Sequence, residues 1–204
     1  MGSFMKVIFL DNDGVLNGYG YGTGVFMRIM HFPLMKPIWK LVSRKWRLFD
    51  IHKKYVRRLA KIVKETGAVI VSSSSWRGRW MIVGVPEYDI HDHHKFCKLF
   101  EKYDLHVYDI TPSIKGNYKR SLEIQTWLDA NSFRNVESFV ILDDECIELR
   151  EKFPNNIVCT SKTGLYEMIS GSWYEGTGLK RKHVKEAIDI LNTKSINDDS
   201  TNHQ

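Results

Sequence analysis

Val7-Ile8-Phe9-Leu10-Asp11-Asn12-Asp13-Gly14-Val15-Leu16 decides how this chain is read. Four apolar residues run directly into Asp-x-Asp-Gly. An uninterrupted apolar run of that length predicts a buried, parallel strand. Carboxylates two residues apart fall on one side of an extended backbone. Gly14 lets the chain turn away without steric cost. Two acids held so close repel one another unless a cation sits between them. Mg²⁺, which favours carboxylate and phosphate oxygen, is the natural occupant.

Two further strands end in polar clusters. Gly67-Ala68-Val69-Ile70-Val71 leads into Ser72-Ser73-Ser74-Ser75-Trp76-Arg77, and Phe139-Val140-Ile141-Leu142 leads into Asp143-Asp144. Between them Lys115, Lys119 and Arg120 precede a helical stretch. The order is therefore acid pair, hydroxyls, cation, acid pair, each at the end of a strand or helix. Strand segments alternating with helical ones imply a parallel sheet covered on both faces. Sites in such sheets gather at the carboxyl ends of the strands.

The pattern predicts a strand at 5–10, a helix over 51–66 with Asp50 as N-cap and Gly67 closing it, and a strand after Gly67. Further helices are expected at 88–103, 118–130, 145–152 and 180–193. The remaining strands are expected at 105–110, 138–142 and 157–159. Leu122, Ile124, Trp127 and Leu128 are the expected buried positions of the 118–130 helix. Residues 1–194 read as one domain, 17–49 as a flap and cap-like insert, and 195–204 as a disordered tail.

The formal net charge of +6 is concentrated. Arg28, Lys36, Lys40, Arg44, Lys45, Arg47, Lys53, Lys54, Arg57 and Arg58 face the single acid Asp50 across that stretch. Phe32, Trp39, Trp46, Phe49 and Tyr55 are interleaved with them. Such a segment suits a nucleic-acid backbone with stacking bases, an anionic membrane surface, or a solvated amphipathic helix.

Cys97, Cys146 and Cys159 are odd in number and lack CxxC spacing, so neither a zinc site nor a disulfide framework is expected. With no basic-then-apolar leader and no apolar run of membrane-spanning length, a cytoplasmic protein is expected. His91-Asp92-His93-His94 reads as an exposed helix start, because adjacent helical residues do not share a face.

The four clusters in this order resemble the haloacid dehalogenase-like (HAD) phosphohydrolase superfamily. Phe49-Asp50, Thr66-Gly67-Ala68, Ser-Trp-Arg at 75–77, Arg120-x-x-Glu123-Ile124-x-x-Trp127-Leu128, Ile141-Leu142-Asp143-Asp144 and Thr163-Gly164-Leu165 resemble its compact branch in Swiss-army-knife RNA-repair proteins. The resemblance implies a three-layer Rossmann-like α/β fold and a phosphatase using Mg²⁺. It implies Asp11 as nucleophile and Asp13 as general acid and base. The metal ligands would be Asp11, the Asp13 carbonyl, and Asp143 or Asp144. The hydroxyl would be Ser73, by counting back from Trp76-Arg77, or Ser72, by strand length. Arg120 takes the position of the third-motif cation, although Ser121 stands where relatives have glycine. Ser72, Ser74, Arg77 and Lys119 are candidate phosphate contacts, with turn chemistry the alternative for Ser74 and exposed solvation the alternative for Arg77. The small lid suits a phosphorylated nucleic-acid end or a nucleotide. The alternatives are a small metabolite, or a nucleic-acid or membrane binder whose catalysis is vestigial. A monomer is expected.

Overall fold

The computed structural model describes residues 4–17, 51–75, 77, 97–114, 116, 119–161 and 177–193. The 17–49 insert beyond Asn17, the 88–96 helix start with its histidines, Lys115, and the 195–204 tail lie outside these residues. Five strands form one parallel sheet: β1 (Met5–Leu10), β2 (Val69–Ser72), β3 (Val107–Ile110), β4 (Val136–Asp143) and β5 (Ile157–Cys159), in the order β3-β2-β1-β4-β5. Among the described residues, α-helices α1 (Lys53–Thr66), α2 (Arg120–Ala130), α3 (Cys146–Lys152) and α4 (Arg181–Asn192) accompany the sheet, with residues 97–101 also helical and a 3-10 turn at Ser132–Arg134.

Alternation along the strands builds two cores. Ile8, Leu10, Ile70, Val140 and Leu142 pack with Tyr55, Val56, Leu59 and Ile62 of α1 and Val184, Ala187 and Leu191 of α4. Val7, Phe9, Val71 and Ile141 pack on the other face with Ile124 and Trp127 of α2 and Cys146 and Leu149 of α3. Helices therefore cover both faces of the sheet, giving the three layers expected. Phe9 anchors the second core, its ring edge-on to Trp127 and Phe139 at 5.3 and 5.8 Å.

Several details differ from the sequence reading. The N-cap position of α1 is His52 rather than Asp50, which lies outside the described residues, and no side chain caps it. Gly67 closes that helix at φ 68°, a left-handed conformation that costs glycine little. Strand β4 starts two residues earlier than expected because Met5 and Lys6 extend its pairing back to Val136 and Ser138. In α2, Leu122 is exposed, while Glu123 is buried with Ile124 and Trp127. Apolar spacing could not find that position, since the buried residue is charged.

The cysteines also require a correction. Cys146 and Cys159 are joined by a disulfide, their Cα atoms 5.8 Å apart. The β4–β5 register pairs Asp143 with Cys159, which brings Cys159 beside the start of α3. Sequence spacing carries no trace of that pairing, and the expectation of no disulfide is overturned. Among the described residues, no helix is long and apolar enough to cross a membrane.

Candidate active site

The sheet reverses its winding at β1, with β2 on one side and β4 on the other. The crevice at their carboxyl ends is where such folds bind ligands. The ladder runs one residue past each strand: Asp11 N–H donates to Leu142 O and Ser73 N–H donates to Leu10 O, both at 3.0 Å. Alternation therefore carries Asp11, Ser73 and Asp143 onto the α2/α3 side, following Phe9, Val71 and Ile141. Ser72 falls on the opposite side, following Ile70. Asp11, Ser73 and Asp143 are each no more than 3% exposed.

Arg120, the first residue of α2, enters the same crevice. Its Nη1 lies 3.0 Å from Asp11 Oδ2 and donates to Asp143 Oδ2 at 2.6 Å. Burial works against its charge, but the carboxylates of Asp143 and Asp11 outweigh it and hold the guanidinium protonated well above its ordinary range. Ser121 is tied to the neighbouring helix. Its backbone N–H donates to the Glu148 carboxylate of α3 at 3.3 Å, and its hydroxyl contacts the same group. Glu148 thereby caps the start of the helix that presents Arg120.

Asp144 completes an acidic triad. Carboxylate oxygens of Asp11, Asp143 and Asp144 all lie within 4.8 Å of one another. Burial, more than its neighbours, raises Asp143 to about 7, with the Asp11 charge adding to it and Arg120, shared between two acids, opposing. Burial and the charges of Asp143, Asp11 and Glu145 raise Asp144 to about 8. Crowded acids in a poorly solvated site are held back from ionising, and a divalent cation is what would relieve them. Asp11 Oδ1 is buried without a hydrogen-bond partner. An all-oxygen donor set with one orphaned carboxylate oxygen fits a hard cation such as Mg²⁺.

Gly14 packs against this triad. It sits at φ +65°, and a β-carbon there would fall inside the Asp144 carboxylate. The turn after β1 is clamped from several elements. Asn12 O accepts Leu16 N–H at 2.9 Å, and Gly14 O accepts Thr160 Oγ1 and Gly178 N–H, both at 3.0 Å. Val15 O accepts Leu179 N–H at 2.8 Å, and Leu16 O accepts His52 N–H at 2.9 Å. Asp13 projects from this turn, outside the triad, with Oδ1 accepting from Asn17 Nδ2 at 2.7 Å.

The other candidates separate. Ser73 Oγ is buried and without a partner on the Asp11 side, whereas Ser72 Oγ is unpartnered on the opposite side; both polar side-chain atoms of Asn12 are also buried and unpartnered. Ser74 is buried and accepts the Asn12 N–H at 3.4 Å, joining the two motif loops. Lys119 is exposed at the N-cap position of α2. Arg77 is not solvated. Its Nη1 and Nη2 grip Glu123 Oε2 and Oε1 at 2.7 and 2.9 Å, and Nη1 also donates to Thr111 Oγ1 at 2.8 Å. It ties the serine loop to α2. Sequence reasoning missed Thr160, Glu148 and Asn17, and held Glu123 only as a member of the Arg-x-x-Glu motif at 120–123, without its partner.

A family model described as the HAD domain in Swiss Army Knife RNA repair proteins matches residues 7–168. This chain belongs to that HAD family. Comparison with curated proteins and with solved structures finds no match to either. The matched span of the HAD domain contains every catalytic and metal-binding candidate, from Asp11 to Asp144. Phosphatase-type chemistry with a divalent metal is what membership of the family implies.

Proposed function

We propose that this HAD domain is a Mg²⁺-dependent phosphatase that works through an aspartyl-phosphate on Asp11, with a phosphorylated nucleic-acid end or nucleotide as substrate. The observation that carries the reading is the convergence on Asp11. One of its oxygens is held by Arg120, the other is buried and unpartnered, and Asp143 and Asp144 lie alongside.

A carboxylate oxygen of Asp11 attacks phosphorus while the ester P–O bond breaks. The leaving oxygen takes its proton from Asp13. Asp13 then accepts a proton from water as that water attacks the phosphorus of the aspartyl-phosphate, releasing inorganic phosphate and restoring Asp11. Arg120 and Ser73 supply donors to the phosphoryl oxygens as charge spreads over them. Mg²⁺, held by Asp11, Asp143, Asp144 and the Asp13 carbonyl, would neutralise charge between carboxylate and phosphate.

The substrate class draws support from two sources. The family is described from RNA repair proteins, and the Arg28–Arg58 stretch interleaves basic and aromatic residues. The test is phosphate release from 3′- and 5′-phosphorylated oligonucleotides, mononucleotides and a generic ester, with Mg²⁺ and with EDTA. Metal-dependent release favouring one oligonucleotide end is expected. Release from small esters alone would move the substrate to a metabolite, and none from any compound would make the site vestigial.

A further inference from the structure

Helices α1 and α4, which cover one face of the sheet, both begin beside the turn after β1. Ahead of α1, the His52 N–H donates to Leu16 O at 2.9 Å; ahead of α4, the Gly178 and Leu179 N–H groups donate to Gly14 O and Val15 O at 3.0 and 2.8 Å. The two starts are also tied to each other. Arg58 Nη1 donates to Leu179 O at 2.7 Å, and the Tyr55 hydroxyl donates to Thr177 O at 3.2 Å. Segments distant in sequence are thereby joined at the edge of the sheet where Asp11 lies.

Both starts carry cations and no acid. Lys53, Lys54, Arg57 and Arg58 open α1, and Lys180, Arg181 and Lys182 open α4. Lys53, Lys54, Arg57, Arg181 and Lys182 are exposed. Their positions converge. Lys54 Nζ stands 4.5 Å over the Tyr55 ring that reaches toward α4, and the charges of Lys182, Lys180 and Arg58 all add to burial in lowering the His183 pKa. Helix stability does not call for this arrangement. The positive end of a helix macrodipole favours acids in the first turn and repels cations. Among the described residues, the ion pair on these two helices is Lys61–Glu65, toward the far end of α1, so no ion pair offsets either start. Residues that oppose the local stability of their own element are expected where function requires them.

We propose that the paired starts of α1 and α4 are the surface on which the strand behind a phosphorylated nucleic-acid end lies, its phosphates held by Lys54, Arg57, Arg181 and Lys182 while the terminal phosphate enters at Asp11. The inference rests on the nucleic-acid reading of the substrate and adds to it the surface that holds the strand. Cations spread over two helices match a chain of phosphates, whose neutralisation releases counterions and fixes the strand without reading its sequence. A membrane surface fits less well. An interfacial helix needs an apolar stripe to bury in lipid, and those of α1 and α4, Tyr55, Val56, Leu59 and Ile62 with Val184, Ala187 and Leu191, are buried in the core. Among the described residues, the exposed large apolar side chains all lie on other elements.

The test is binding of a labelled single-stranded oligonucleotide with a 3′- or 5′-phosphate, read by fluorescence anisotropy in EDTA as salt is raised. Lys54→Gln/Arg57→Gln and Arg181→Gln/Lys182→Gln are compared with Arg150→Gln/Lys152→Gln, which removes the same charge from exposed positions on α3, across the sheet. Thermal melting checks that each variant is folded. Each of the first two pairs should raise Kd roughly 10-fold or more at about 0.1 M salt, and should flatten the slope of log affinity against log salt by up to about 1.4, at about 0.7 per phosphate contact. The α3 pair should change both only slightly. Equal losses from all three pairs, no loss from either the α1 or the α4 pair, or a wild type that does not bind the oligonucleotide would overturn the proposal. So would α1 and α4 pairs that weaken attachment to phosphatidylserine vesicles and leave oligonucleotide binding unmoved, which would make the surface a membrane contact. Oligonucleotide binding through this surface by a chain that releases no phosphate from any compound would support the proposal and refute the phosphatase reading, so the two fail separately.

Discussion

Replacing Glu123 by alanine tests the inner frame of the site. Glu123 is 7% exposed and Arg77 18% exposed at their side chains, with two parallel N–H···O contacts of 2.7 and 2.9 Å. Deleting one partner of a buried bidentate pair strands the other charge, which costs about 3–5 kcal/mol. Arg77 keeps Thr111 Oγ1 at 2.8 Å and Pro112 O at 3.2 Å as acceptors, so the lower end, about 3 kcal/mol, applies. Against a total stability of roughly 5–15 kcal/mol this is a large fraction. Urea unfolding by linear extrapolation reads it directly, as a lowered midpoint with an unchanged slope. The double variant Arg77→Met/Glu123→Leu should recover most of the loss, because an apolar pair removes both charges together. Activity should fall in Glu123→Ala under conditions where it is still folded, since the pair joins the serine loop to the helix carrying Arg120. A loss below about 1 kcal/mol, or a double variant no more stable than the single one, would refute this account.

Other perturbations have equally definite outcomes. Gly14→Ala should cost about 1–2 kcal/mol for its left-handed backbone alone. By displacing Asp144 it should also weaken Mg²⁺ activation by roughly tenfold or more, read as the Mg²⁺ concentration for half-maximal rate; unchanged activation would contradict the packing of Gly14 on Asp144. Cys146→Ser/Cys159→Ser, or reduction of the wild type, should lower stability by about 3 kcal/mol for a link closing a short loop, measured by thermal melting; reduction without effect would mean that the disulfide does not stabilise the fold. His183 is buried, its Nδ1 accepting the Lys180 N–H at 3.1 Å, and burial together with Lys182, Lys180 and Arg58 lowers its pKa from 6.5 to about 4. The unfolded chain takes up a proton near pH 6.5 while the folded one resists it until about 4. Its stabilisation is complete above the unfolded value and lost as pH falls across that window, by roughly 2 kcal/mol once screening of the lysines is allowed for. His183→Gln should flatten that part of the stability profile, and a profile identical to wild type would contradict it.

The parts legible in the sequence were those written in apolar runs and their ends. Val7–Leu10, Val69–Val71 and Phe139–Leu142 gave the central strands, and the acids and hydroxyls after them marked one edge of the sheet. Alternation could not choose between Ser72 and Ser73 until the register Leu10↔Ser72 fixed which face each residue joins. The burial of Glu123 and of Asn17 was not legible for a common reason: a buried polar residue is recognised by its partner, and the partners lie 46 residues away at Arg77 and across a tight turn at Asp13 and Gly14. The Cys146–Cys159 disulfide depends on the β4–β5 pairing, a long-range fact with no local signal. The contact of Ser121 with Glu148 likewise emerges only when the two helices are seen together.

The most direct test of the central claim is to look for the covalent intermediate. Asp13→Asn, which cannot activate water, would be mixed with substrate and Mg²⁺, acid-quenched and digested, and the peptide containing Asp11 weighed. The account predicts one added phosphoryl group on that peptide, located at Asp11, and neither the adduct nor turnover in Asp11→Asn. Turnover that persists in Asp11→Asn, or a phosphoryl group carried by any other residue, would contradict it.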